Sequence, residues 1–166
     1  MKQTITFLFT IFLLSACESK KEKLIKAEFT KIQAHWVINS FSFSANTPDS
    51  VKSVLKNGEM ILNKCNYDDK RFNTDAVVCG GDIEISSVLL SLSYRYLFDK
   101  RLYVFQLAVN NKDPTFIDKK NGPHQKIRNL IEGEWDVSVT DNSLTAKQVL
   151  SYLESKYLVS FTAVKK

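Results

Sequence analysis

Residues 88–109 read VLLSLSYRYLFDKRLYVFQLAV, and this stretch decides the fold. On both sides of Asp99-Lys100, apolar or aromatic residues recur at every second position, which is typical of strands with one buried face. Folding the chain there as an antiparallel hairpin gives one face the pairs Tyr96–Tyr103, Tyr94–Phe105, Leu92–Leu107 and Leu90–Val109. A slip of one residue would mix the two faces, so the register is well specified. A four-residue loop in the same register is the alternative to a two-residue turn.

Shorter segments with a similar pattern flank this hairpin and predict further strands. Their ranges are 34–43, 59–65, 76–79, 115–117, 134–140 and 157–164. In the first strand, Val37, Phe41 and Phe43 are expected on one face, with Trp36 and Ile38 on the other. Gly80-Gly81 is expected to turn the chain between two of the strands.

One or two short helices are expected, and three places are candidates for them. One is a short helical turn at 50–57 ended by Gly58, and another runs over 123–132, begun by Pro123 and ended by Gly133. Residues 145–155 begin with a capping-box pattern and favour a helix, with a strand as the alternative. About eight consecutive strands predict a mostly β domain over residues 29–166, an antiparallel meander that closes into a barrel or folds as a sandwich.

The N-terminal residues have the form of a secretory signal. Lys2 is followed by an apolar run from Ile5 to Leu14 and by the small residues Ser15 and Ala16. The run is shorter than the roughly 20 residues that span a bilayer, so residues 1–16 are predicted to be a cleaved signal peptide.

Leu14-Ser15-Ala16-Cys17 resembles the lipobox of bacterial lipoproteins at every position. The resemblance implies that Cys17 receives a diacylglyceryl group, becomes the first residue after cleavage and carries acyl chains such as palmitate. Residues 17–28 then form a charged linker that reaches at most about 35 Å. The expected location is a bacterial outer membrane, on the periplasmic or the surface-exposed side.

A second resemblance concerns the mature domain. Trp36-Val-Ile-Asn-Ser40 and Gly133-Glu-Trp135-Asp-Val137 resemble the Gly-x-Trp opening of lipocalin-like barrels, although Ala34 stands where that family prefers Gly. The resemblance implies a lipocalin-like lipoprotein.

The aromatic stripe of the hairpin is the candidate ligand-binding surface. Inside a barrel it would meet a small apolar or amphipathic ligand, and the alternative is that the same rings fill the core. With a filled core, the expected function is instead that of a protein-interaction or envelope-assembly lipoprotein. The candidate ligand-binding residues are Trp36, Tyr94, Tyr96, Tyr103 and Phe105.

Cys65 and Cys79 remain after lipidation of Cys17. Export into an oxidising compartment favours a disulfide between them, with two buried thiols or a redox pair as the alternatives. The absence of a Cys-x-x-Cys spacing argues against a thioredoxin-like role.

Catalytic and cofactor motifs are absent from the sequence. There is no Gly-x-Ser-x-Gly, Gly80-Gly81 lacks the Lys-Ser/Thr of a phosphate loop, and His35 and His124 have no metal-ligand spacing. We therefore expect no enzymatic activity, catalytic residue, metal or cofactor. The net charge of +5 gives no reason to expect nucleic acid as a partner of an exported protein.

Overall fold

In the computed structural model, the described parts of the chain are Ala27 and residues 29–63, 78–96, 100–109, 122–152 and 155–166. Within them, eight antiparallel strands form a closed barrel in which neighbours along the chain are neighbours in the sheet. The strands are β1 (His35–Phe43), β2 (Gly58–Leu62), β3 (Cys79–Ile85), β4 (Val88–Tyr96), β5 (Arg101–Val109), β6 (Gly133–Val139), β7 (Ser143–Tyr152) and β8 (Ser155–Lys165). The predicted meander is thus confirmed, and it closes as a barrel.

The helices lie at the two ends of this barrel. Residues 29–32 are helical and precede β1 at the end that we call the lower rim. Two helices, α1 (Asp49–Lys52) and α2 (Pro123–Ile131), lie at the opposite end, the upper rim, because α1 follows β1 and α2 follows β5. The predicted helix at 123–132 is confirmed, and the predicted helical turn at 50–57 is shorter than expected.

The central hairpin has the predicted register only in its upper half. Leu90 pairs with Val109 and Leu92 with Leu107, but the register shifts after Ser93, so Tyr94 lies opposite Val104 and Tyr96 opposite Leu102. The predicted pairs Tyr94–Phe105 and Tyr96–Tyr103 are therefore wrong. The bulge inserts one extra residue into β5, which increases the local twist and bend that a closed barrel needs.

A second bulge changes the faces of β1. Ile38 pairs with Ala163 and Ser40 with Thr162, so Asn39 is the extra residue. Phe41 consequently points inward with Trp36 and Ile38, all three being buried, whereas the sequence pattern had grouped Phe41 with Val37. A period of two fails at a bulge because the extra residue reverses the alternation.

The predicted turn at Gly80-Gly81 is wrong, because β3 runs straight through both glycines to Ile85. A Cβ atom on Gly81 would lie 2.2 Å from the carbonyl oxygen of Ile61, and one on Gly58 would lie 2.0 Å from that of Glu84. These two glycines let β2 and β3 approach closely where the sheet curves, a known use of glycine in barrels.

Residues 145–155 form strand rather than helix, since β7 covers Ser143–Tyr152 and pairs with β8 along its whole length. The predicted strand at 157–164 is confirmed as part of β8, and its alternate residues Tyr157, Val159, Phe161 and Ala163 are all buried. The predicted strand at 115–117 lies outside the described residues, as do residues 64 and 65 of the predicted second strand.

The chain turns between β3 and β4 at Ser86 and Ser87. Both have positive φ, 51° and 65°, as in the type I′ turn of two-residue hairpins. The Ser86 hydroxyl donates to the carbonyl oxygen of Val54 at 2.9 Å, which holds the turn against the segment that leads into β2. Serine in this left-handed region is strained, because its Cβ crowds the backbone.

Replacement of Ser87 by Gly should stabilise the barrel by about 0.5–1 kcal/mol, because glycine adopts positive φ without the strain. Urea unfolding of the two proteins measures the difference. Ser42→Gly is the matched control: Ser42 lies in β1 opposite Ser160 of β8, where glycine should destabilise by a similar amount. Equal destabilisation by both glycines would contradict the expectation.

Candidate functional site

The structure brings together only part of the predicted ligand site. Trp36, Tyr94 and Tyr96 point into the barrel, where they are 0%, 0% and 4% exposed. Tyr103 is 41% exposed and lies opposite Arg95 on the outer wall, because the bulge in β5 reverses its direction. The side chain of Phe105 lies outside the described part of the structure.

The described side chains that point into the barrel are buried and pack against one another. At its centre, the ring of Phe161 lies 5.3 Å from that of Phe41 and 5.2 Å from that of Trp135, centroid to centroid. The hydroxyl of Tyr94 donates to the carbonyl oxygen of Asn63 at 2.8 Å, and burial raises the pKa of this phenol. These rings therefore act as packed core, with the polar atom of Tyr94 satisfied internally.

Both tryptophans close an end of the barrel in the same way. The indole nitrogen of Trp36 donates to the carbonyl oxygen of Ile32 at 2.8 Å, and that of Trp135 donates to Ile131 at 2.9 Å. In each case the acceptor is four residues earlier and ends a helical segment. The two Trp segments that resemble each other in sequence thus share a local structure, one at each rim.

The C-terminal end of helix α2 connects β5 to β7, the two strands on either side of β6. The amide of Leu107 in β5 donates to Glu132 Oε1 at 2.8 Å. On the other side, the buried Gln148 of β7 donates from Nε2 to the carbonyl oxygen of Leu130 at 2.6 Å. A Cβ at Gly133 would lie 3.2 Å from Gln148 Oε1, and Gly133 has φ +133°, so glycine suits the bend from α2 into β6.

A groove of about 350 Å³ lies at the upper rim between α1 with the residues that follow it and α2. Val51 and Leu130 form its buried floor, and Val54 packs beside them. Its polar rim consists of Ser50, Gln125, Lys126 and Asn129. The sequence alone does not indicate this site, because its residues come from two segments far apart in the chain that only the fold brings together.

The outer wall exposes apolar side chains on the β7–β8 hairpin. Val149 and Leu158 lie directly opposite each other and are 61% and 47% exposed. The expectation of a helix at residues 145–155 did not place this pair on a sheet. The alternation of apolar residues in Leu144 to Leu150 was the signal that indicated a strand.

An ionic cluster joins three elements at the lower rim. Glu59 of β2 accepts hydrogen bonds from Lys166 at 3.1 Å and pairs with His35 of β1 at 2.6 Å. Hydrogen bonds from Lys166 first, and from His35 second, lower the pKa of the Glu59 carboxyl. Each of the three groups has its partners in the cluster, so we read it as a structural clasp.

The remaining predicted residues are placed only in part. Cys17 and Cys65 lie outside the described residues, whereas Cys79 begins β3 and is buried. Within the described ranges, no three His, Cys, Asp or Glu residues are grouped so as to hold a metal ion. His35 lies at the lower rim and His124 in α2 at the upper rim.

No family model, no curated protein and no solved structure matches the chain. In the parts of the chain that the structure describes, no helix has the length and apolarity to cross a membrane.

Replacing Gln148 with Leu should destabilise the protein by about 1–3 kcal/mol, because the buried carbonyl of Leu130 loses its donor in a side chain of similar size. Chemical denaturation with a check on the m value measures the loss. Lys147→Ala, one residue away on the outer wall, should change stability by less than about 0.5 kcal/mol. A fully stable Gln148→Leu protein would show that α2 needs no clamp from β7.

Proposed function

We propose that the protein is a lipid-anchored, non-enzymatic component of a bacterial cell envelope that binds another macromolecule with the outside of its barrel. The observation that supports this function is the contrast between interior and exterior. The largest interior side chains, Trp36 and Trp135 among them, are fully buried, whereas Val149 and Leu158 lie side by side in solvent. Exposed apolar side chains that lie next to each other are candidates for an interaction surface, because contiguous apolar patches often mark binding sites.

The anchor in this proposal is Cys17. Acyl chains on its sulfur and on its amino group would hold the protein stably at a membrane, since two chains give much stronger binding than one. The charged linker up to residue 28 would lead to the lower rim, where the helical residues 29–32 precede β1. The location proposed is the outer membrane, on either face.

A disulfide between Cys65 and Cys79 is part of the same proposal. Cys79 lies at the lower rim, at the start of β3 and beside Tyr94 of β4. A bridge from there to Cys65, which follows β2, would close a loop of about 15 residues and contribute roughly 3 kcal/mol. An oxidising compartment would keep it formed.

The alternative function is the retention of a small apolar or amphipathic ligand inside the barrel. It remains a prediction of the sequence and requires the packed rings around Tyr94 and Phe161 to separate. Burial of large side chains favours the closed interior by roughly 1.5–3 kcal/mol for each, so a ligand would have to replace those contacts. Because the described interior side chains are buried and packed together, we rank this function second.

Intact mass of the protein isolated from membranes tests the anchor and the disulfide together. We expect the mass of residues 17–166 plus acyl groups on Cys17, less two hydrogens for the bridge. Cys17→Ser should remove the acyl mass, and Cys65→Ser should restore the thiol of Cys79 without affecting acylation. An unmodified Cys17 in the wild type, or two free thiols, would refute the corresponding half of the proposal.

In-cell photocrosslinking tests the interaction surface. A photoreactive residue in place of Val149 should give a discrete heavier adduct, at least five times stronger than one in place of Leu89, which is 43% exposed in β4. Leu158→Ser should weaken the adduct from position 149. Equal adducts from both positions, or none from position 149, would count against the proposed surface, and a small molecule released on denaturation would favour the alternative.

A further inference from the structure

The groove at the upper rim combines an apolar floor with a rim of hydrogen-bond donors. Its floor is the top of the barrel core, because Val51 and Leu130 are both buried members of that core and Val54 packs against it. A ligand that enters there meets hydrocarbon below without displacing any of the rings inside the barrel.

The rim of the groove is polar and carries one charged group. Among the described residues that line it, Lys126 is the only charged side chain, so the groove presents a cation and no carboxylate. The nearest acid of α1, Asp49, is exposed and pairs with Lys52 at 3.4 Å. An anionic head group is therefore favoured at the rim over a cationic one.

A hydrogen bond between the two amide side chains of α2 fixes which of their atoms remain as donors. Gln125 donates from Nε2 to Asn129 Oδ1 at 2.8 Å, one helical turn away. This bond uses the oxygen of Asn129, so its amide nitrogen remains as the donor end, on the same groove that Lys126 lines. An ammonium and an amide N–H on one groove match the two oxygens of a carboxylate.

We infer that the groove between α1 and α2 binds a small aliphatic monocarboxylate, with the chain on Val51, Val54 and Leu130 and the carboxylate at Lys126 and Asn129. Its volume of about 350 Å³ lies at the small end of the range for ligand pockets, roughly 300–1,000 Å³. A short chain therefore fits, and a long one does not. The inference is independent of the proposed macromolecular partner, because it uses the upper rim and not the β7–β8 wall.

Hexanoate, with hexylamine and hexanol for comparison, is the probe. The full chain with its anchor, held in lipid nanodiscs, is titrated while its amide and indole signals are followed by NMR. We expect saturable shifts of the side-chain amides of Gln125 and Asn129 with hexanoate, with a Kd of about 1 mM or tighter. Hexylamine should bind at least ten times more weakly, and the indole signal of Trp36, which lies at the opposite rim, should not move.

Two lysine variants distinguish binding in the groove from a general effect of the protein's positive charge. Lys126→Gln should weaken hexanoate about five- to tenfold while leaving hexanol unchanged. Lys56→Gln, which alters a lysine outside the groove, should leave both unchanged and serves as the matched control. A spectrum with unchanged dispersion shows that each variant is folded.

Three results would overturn the inference. They are the lack of saturation at high millimolar hexanoate, equal binding of hexylamine, and shifts confined to the indoles, which would place the ligand inside the barrel. Loss of the crosslink from position 149 leaves this result untouched, so failure here is distinguishable from failure of the proposed function.

Discussion

The hydrogen-bonded ladder between β1 and β8 is the contact on which the rest of the structure depends. It joins the first strand to the last over pairs from Trp36–Lys165 to Phe43–Val159, and so removes both edges of the meander. Once the sheet is closed, one interior of fixed size remains, and side chains have to fill it at close to crystal density. The cluster of inclined rings formed by Phe41, Phe161 and Trp135 follows from that requirement.

Closure is incomplete at the upper rim, and α2 compensates for it. The β5–β6 ladder covers only Arg101 to Val104, so within the described ranges the upper half of β5 is paired with no strand on that side. The carboxylate of Glu132 and the amide of Gln148 supply the bonds that a strand would otherwise make. Glu132, whose side chain is 35% exposed, thus replaces one ladder bond of β5, and the buried Gln148 is tolerated because its amide donates to Leu130.

Hydrophobic periodicity predicted the fold class, the strand meander and the last strand, and Pro123 and Gly133 indicated the two ends of α2. The predictions were wrong where a bulge or a competing local pattern interrupted that periodicity. Bulges at Asn39 and Phe105 reversed the faces beyond them, and a capping-box pattern outweighed the strand signal of β7. The groove was beyond prediction, because residues near 51 and 129 share no pattern until the barrel places them side by side. Of the candidate ligand residues, Trp36, Tyr94 and Tyr96 were placed inside correctly, but as core.

The filled interior has a consequence for where binding can evolve in such a barrel. Any ligand inside must displace rings whose contacts stabilise the closed sheet, so affinity and stability oppose each other there. At the upper rim and on the outer wall they do not, because Lys126, Asn129, Val149 and Leu158 are partly or largely exposed and contribute little to the core. These surfaces can change chemistry without loosening the β1–β8 closure. The physics of packing therefore directs function to the outside of this domain and to its helix-covered end.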